Sequence, residues 1–311
     1  MNASSPMASV NRYAKVIEVS KRVRWEIERD VIRGRRFGFD RTFLPAGLSL
    51  VDELEFLTPA QRRTLSQVQG RSYANLFGLV ERFIGAKMVE IGREHALGDQ
   101  VAFEAIVRFT DEELKHQALF RRIEALIARG MPDGYRFLPQ PNDVAGFVLG
   151  KCTWAVLALT CHIELFSQAH YRQSIEPDPS LSPLFKDILF FHWREESQHA
   201  IVDELEWKRE HARLDDAAKD AAVDDLIALV AGVDGILAMQ APADVDYFMT
   251  IAGRPFTSDE AQTLRRVVLG AYRWQYIVSG VQGPRFREVL GSMITPQQGE
   301  RIGAALAPIV A

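Results

Sequence analysis

The chain has 311 residues, 47% of them hydrophobic and 25% charged, enough to bury a large core in one extended domain or two small ones. Its 37 basic and 41 acidic side chains leave a formal net charge of -4, which excludes the electrostatic footprint of a nucleic-acid binder. The two cysteines, Cys152 and Cys161, fall on one expected helix too far apart along its axis to bridge, which excludes a disulfide scaffold and fits a reducing cytoplasm.

In chain order, residues 1 to about 10 are small and polar, show no signal-peptide pattern, and are expected to be loosely attached. From Asn11 to about Arg33 the pattern predicts an amphipathic helix with Val16, Val19, Val23, Ile27 and Val31 on one face. Around that face and in the loop after it stand Lys21, Arg22, Arg24, Arg29, Arg33, Arg35, Arg36 and Arg41. They read as a solvated surface balanced by Glu18, Glu26, Glu28 and Asp30, or as a docking surface for an acidic partner.

Thr58-Pro59-Ala60-Gln61 is a helix start with an N-cap, proline at the first helical position and glutamine placed for a capping box. It opens a helix of about 59 to 95. Gly98-Asp99 then turns the chain into a second helix, about 100 to 129, stopped by Gly130 and Pro132. A third helix passes Glu164 and ends before Pro177, and Ser182-Pro183 starts a fourth that continues to about Leu214. The connection between the second and third must travel the length of a bundle, and thirteen residues reach only about 43 Å when extended, so Gly146 and Gly150 read as part of the crossover. Beyond Leu214 four accessory helices are expected, at about 216 to 239, 243 to 251, 257 to 280 and 295 to 308, with breaks at Gly235, Pro242 and Gly253-Arg254-Pro255. The most apolar run, Thr153 to Cys161, is too short to span a bilayer, so no membrane partner is expected.

Two stretches carry chemistry. Glu113 and His116, like Glu196 and His199, form Glu-x-x-His and so share one helix face. Glu81 lies 32 residues before Glu113 and Glu164 lies 32 before Glu196, so the whole set recurs 83 residues later. The levels agree, because Glu81 to His95 and Asp99 to Glu113 each span about 21 Å at the helical rise. Four carboxylates and two imidazoles on four helices are the donor set of a di-metal carboxylate bundle, an arrangement general to ferritin-like proteins. The expected fold is therefore all-α: a ferritin-like four-helix bundle over residues 59–214, an N-terminal helix and arm over 1–58, and accessory helices over 215–311 packed on the bundle as a single domain. Oxygen and imidazole donors suit two iron ions, with manganese in one or both sites as the variant. Glu81 and Glu164 are read as bridging carboxylates, with each Glu-x-x-His supplying a terminal imidazole and another carboxylate.

One residue breaks the symmetry. His192 lies on the metal-facing stripe seven residues before His199, where the first half carries Phe109. It reads as a further ligand, or as a histidine packed under the site. Asp203, four residues after His199, is placed to accept from that imidazole; Glu112 and Glu195 are candidates for the same orienting task across the bundle. His95, His162, His170 and His211 have no Glu three residues before them and are read as non-ligands.

With His192 included, the duplicated pattern resembles the di-iron arylamine N-oxygenases typified by p-aminobenzoate N-oxygenase, over about residues 59 to 214. The resemblance implies Glu81, Glu113, His116, Glu164, His192, Glu196 and His199 as metal ligands. Soluble acyl-carrier-protein desaturases and ribonucleotide-reductase-like oxidases are similar in the first six. The expected activity is that of a di-iron oxygenase that uses O2 to oxidise a small-molecule or carrier-tethered substrate. An acyl desaturase or hydroxylase, and a ferroxidase or rubrerythrin-like peroxidase, are the alternatives. No Gly-x-Gly-x-x-Gly follows a strand and no iron-sulfur cysteine pattern exists, so a separate reductase is the expected electron donor, and a homodimer is compatible.

Overall fold

The computed structural model describes residues 6–310. Twelve α-helices run in the order α1 (Pro6–Arg22), α2 (Ala46–Ser49), α3 (Pro59–His95), α4 (Gln100–Ala128), α5 (Pro141–Leu149), α6 (Thr153–His170), α7 (Pro183–Arg213), α8 (Asp216–Ile251), α9 (Ser258–Arg273), α10 (Ser279–Val281), α11 (Pro284–Gly291) and α12 (Pro296–Val310). Among the described residues the only β pairing is an isolated bridge between Thr42 and Leu181, so the all-α expectation holds. Among the described residues no helix is long and apolar enough to cross a membrane.

The bundle is two hairpins, α3 with α4 and α6 with α7. α3 starts where its capping chemistry lies: the Gln61 amide donates to Thr58 Oγ1 at 3.3 Å and the Thr58 amide donates to Gln61 Oε1 at 3.1 Å. The Asp99 carboxylate caps α4 by accepting from the amides of Val101 and Ala102, both at 3.0 Å. Between the hairpins the chain crosses over through α5, and Gly146 and Gly150 belong to that crossover. α6 runs on through a π-helical turn, Tyr171–Ile175, as α9 does through Trp274–Val278.

The N-terminal helix differs from the expected span of Asn11 to about Arg33. α1 stops at Arg22, and after an extended stretch a π-helical turn runs over Ile27–Ile32. The break lets Trp25, 4% exposed, turn inward onto the bundle, a gain in buried area that an unbroken helix would forgo. Helix α1 begins at Pro6, so residues 6–10 are ordered into it; residues 1–5 of the loosely attached tail lie outside the described residues. Several of the basic residues are paired: Lys21 with Glu104, Arg29 with Glu26 and Asp30, and both Arg33 and Arg35 with Asp187.

The C-terminal helices also depart from the expected boundaries. Residues 216–251 form one helix in which neither Gly235 nor Pro242 interrupts the run. The carbonyl that proline leaves unpaired belongs to exposed Ala238, where water can satisfy it. Around the proline Gln240, Ala241 and Asp244 are buried, so packing holds the helix together where local propensity would end it. Helix α11 was not anticipated; its Phe286 and Val289 are buried. A single cluster of buried apolar side chains runs through arm, bundle and C-terminal helices.

Candidate metal centre

The four long helices bring Glu81 from α3, Glu113 and His116 from α4, Glu164 from α6, and His192, Glu196 and His199 from α7 into one region, each no more than 3% exposed. Ligand atoms of Glu81, His116, His192 and Glu196 lie within 4.8 Å of one another, and so do those of Glu113, His116, Glu196 and His199. These are two adjoining cages that share His116 and Glu196.

Glu196 stands between them. Its Oε1 is 3.0 Å from His116 Nδ1 and 2.9 Å from His192 Nε2, and its Oε2 is 3.4 Å from His199 Nδ1. Glu113 Oε1 likewise faces His199 Nδ1 at 2.8 Å and His116 Nδ1 at 3.7 Å. Glu113 and Glu196 therefore lie centrally among the imidazoles, whereas Glu81 and Glu164, read from the sequence as the bridging carboxylates, lie outward of them. On a Glu-x-x-His helix the glutamate points between the imidazoles of both halves, whereas Glu81 and Glu164 approach from the outer helices. Glu81 accepts from His192 Nε2 at 2.9 Å. Glu164 is the most peripheral, its Oε1 4.0 Å from His199 Nδ1, and it belongs to neither cage.

The far nitrogens are held crosswise. His116 Nε2 lies 2.9 Å from Glu195 Oε2, and His199 Nε2 lies 2.9 Å from Glu112 Oε2, so each carboxylate orients the imidazole of the opposite half. In the neutral ring with Nε2–H donating outward, the state a metal ligand takes, each Nδ1 lone pair faces the cage. Asp203 does not bond His199: its two buried oxygens make no hydrogen bond, and the ring instead meets Glu112 of α4 through Nε2.

The donor set fits a pair of divalent cations. Glu81 Oε2, both oxygens of Glu113, Glu196 Oε1 and the Nδ1 atoms of His116 and His199, all in the cages, and Glu164 Oε2 beside them are buried without a hydrogen-bond partner. Polar atoms so converged and so poorly aligned for hydrogen bonding are metal-ligand geometry. The titration behaviour agrees. Burial pushes Glu81 up, but the neighbouring Glu113, His116 and His192 outweigh it and leave Glu81 at about 2. Burial and the neighbouring Glu81 raise Glu113 to about 8. Burial and Glu196 hold Glu164 well above the usual carboxylate range. Burial pulls the His116 and His199 imidazoles down, yet Glu196 and the other carboxylates outweigh it and hold both well above the usual histidine range. The cluster demands positive charge at its centre.

His192 and Phe109 occupy matched positions with different consequences. The His192 ring lies 4.5 Å from that of His116, with the edges of Phe77 and Phe120 around it, while Phe109 stacks on His199 at 3.8 Å. The remaining histidines are occupied elsewhere: His95 with Glu206, His162 with the Ile277 carbonyl, His170 with Tyr73 and Ser279, and His211 with Trp154.

Contributions from the N-terminal segment escaped the sequence reading. Ser20 donates to Glu112 Oε1 at 2.7 Å, steadying the residue that holds His199. Trp25 lies parallel to the His116 ring with centroids 6.1 Å apart, and Lys115 Nζ sits 4.2 Å over Trp25 while pairing with Glu195 at 2.5 Å. The one signal available was a tryptophan and a serine in an otherwise basic stretch.

No family model matches the chain, and no curated protein matches it. Solved structures with similarity include an R2-like ligand-binding oxidase with a non-activated Mn/Mn cofactor, at 14% identity and TM-score 0.42, covering 88% of this chain and 92% of that one. Another is an R2-like ligand-binding oxidase with an anaerobically reconstituted Mn/Fe cofactor, at 14% identity and TM-score 0.44, covering 92% of this chain and 95% of that one. A third, of the same description, has 12% identity and TM-score 0.45, covering 88% and 93%. At this distance the likeness carries no chemistry across to this chain.

Proposed function

We propose that the protein is a non-haem di-metal oxygenase that binds two iron ions, or iron with manganese, and uses O2 to oxidise a small organic substrate, with N-oxygenation of an aryl amine as the reaction. The observation that carries this reading is the pair of adjoining Glu/His cages with crosswise-held imidazoles. Glu81, Glu113, His116, Glu164, His192, Glu196 and His199 would hold the ions. Bound there, a reduced metal pair supplies the electrons and Lewis acidity that O2 activation requires.

The chain's own part is positional. Glu195 and Glu112 accept from Nε2–H of His116 and His199, which fixes the tautomer that turns the Nδ1 lone pair inward. Phe109 and Trp25 cover the imidazoles and keep water from them. His192 makes the two positions inequivalent, the feature shared with the arylamine N-oxygenase pattern. A second reading, C–H oxidation or desaturation of an apolar chain, is favoured by the apolar cavity whose wall includes Val80 and Ile163, the neighbours of Glu81 and Glu164. Electrons would come from a separate reductase. Metal analysis combined with oxygen consumption, with and without aniline-type amines and a fatty alcohol, tests both readings. Failure to retain iron or manganese at about two ions per chain overturns the di-metal assignment.

A further inference from the structure

A cavity of about 470 Å³ lies against the bundle between α3, α5, α6 and α8, within the range of roughly 300–1,000 Å³ that small-molecule sites occupy. Its wall toward the metal centre is made by Phe77, Val80, Ile163 and Phe166. Phe77 stands edge-on to His192 with ring centroids 5.3 Å apart, so one aromatic layer separates cavity from cage. Phe147 of α5 and Met239 of α8 also line the cavity and are about half exposed, at 47% and 49%, which marks an apolar mouth between those two helices.

Polar groups in the lining are few, and their chemistry is selective. Asp143, exposed on α5, is the only charged residue among the lining side chains, and no cation joins it. Lys151, 5.5 Å from the Phe147 ring, is already paired with Asp225 at 3.2 Å. A carboxylate brought into this space would lose its hydration with no cation to replace it and would pass an acidic residue on the way. Deeper in, the Tyr276 hydroxyl is buried, its residue only 8% exposed, and it has no hydrogen-bond partner. Burial holds that phenol neutral. That oxygen has no accessible surface, and the groups that act on it, Tyr73, Tyr135 and Asp244, lie outside the cavity lining, so it gives the cavity no polar contact.

We propose that this cavity is the substrate site, and that it takes a neutral, largely apolar molecule, an aryl or alkyl body without a carboxylate. As a substrate assignment this rests on the di-metal oxygenase reading. It separates the chain's substrates from p-aminobenzoate-type acids and from free fatty acids, while keeping neutral amines and alcohols.

The test is a fluorescence titration of the purified, metal-loaded full chain with N-phenyl-1-naphthylamine, followed by displacement with naphthalene, 1-naphthylamine and 1-naphthoate. The probe should bind, and 1-naphthoate should displace it at least about tenfold less well than 1-naphthylamine, as expected for an unpaired charge entering an apolar site. Naphthalene should displace the probe about as well as 1-naphthylamine, as expected for a deep wall with no accessible polar group. Val233→Phe, which fills the cavity from α8, should weaken every ligand; if its melting temperature collapses, Ile236→Phe from the same helix replaces it. Equal affinity for 1-naphthoate and 1-naphthylamine, undiminished binding of every ligand in the folded Val233→Phe or Ile236→Phe variant, or no probe binding to the folded wild type overturns the proposal. Metal content measured on the same samples keeps the two readings apart: a metal-free protein that shows this binding pattern retains the cavity assignment and loses the di-metal one.

Discussion

At the scale of single residues, the centre depends on where each lone pair points. Glu196 touches both cages, so Glu196→Ala should lose most bound metal, and Glu113→Ala should behave the same way, whereas Glu164→Ala should retain the larger share. Elemental analysis of the three purified variants checks the ranking, and equal retention in all of them would remove the central role of Glu113 and Glu196 in holding metal. Glu195→Gln keeps the shape beside His116 but weakens the pull on its Nε2 proton. Metal affinity should fall by roughly 10- to 100-fold, the usual effect of losing a carboxylate that holds a ligand imidazole, with secondary structure unchanged by circular dichroism. His192 sits 2.9 Å from both Glu81 and Glu196. His192→Phe copies Phe109 of the other half and should keep two ions while altering the absorption spectrum of the oxidised centre. A spectrum identical to wild type would demote His192 to packing.

At the scale of elements, the N-terminal segment is a working part of the site. Ser20 and Trp25 belong to a chain segment that precedes the bundle, yet they rest on Glu112 and His116. Trp25→Ala would open the imidazole to water and leave Lys115 without its aromatic platform. It should speed metal loss to a chelator several-fold at constant helix content; an unchanged loss rate would confine Trp25 to a packing role. The arm also packs where α3 has no side chain. A Cβ at Gly70 would meet Phe43 Cβ at 2.6 Å, so Gly70→Ala should destabilise the fold by about 1–3 kcal/mol in denaturant unfolding.

At the scale of the whole molecule, two buried histidines fasten the C-terminal helices to the bundle. His162 Nε2 meets the Ile277 carbonyl at 3.1 Å, and His170 Nε2 meets Ser279 Oγ at 2.9 Å. Burial lowers His162 to about 4, and burial together with His162 lowers His170 to about 3, so the fold accommodates both as neutral rings. Their stabilisation is fully present above the ordinary histidine value near 6.5 and is lost as pH falls from there toward 4 and 3. At pH 5 the loss should be roughly 2 kcal/mol per histidine. His170→Gln should flatten that slope in urea unfolding between pH 7 and 5, and an unaltered slope would place the acid sensitivity elsewhere.

How much of this was legible in the sequence follows from the range of each interaction. Glu-x-x-His is a statement about one helix turn, and the equal spacing of Glu81 to Glu113 and Glu164 to Glu196 is a statement about hairpin length. Regular helical geometry alone therefore brought the cage residues to one level. Capping chemistry likewise placed the start of α3 at Pro59. What only the tertiary structure decided is side-chain direction and contact between remote segments: that Glu113 and Glu196 take the central positions, that His199 meets Glu112 and does not bond Asp203, and that Trp25 breaks its own helix to lie beside His116. It also decided that α8 continues through Pro242, because burial on both sides of the proline outweighs a local preference worth about 3 kcal/mol. Helix geometry is periodic and so can be read along the chain, whereas the packing that orients these side chains depends on neighbours that sequence order does not reveal.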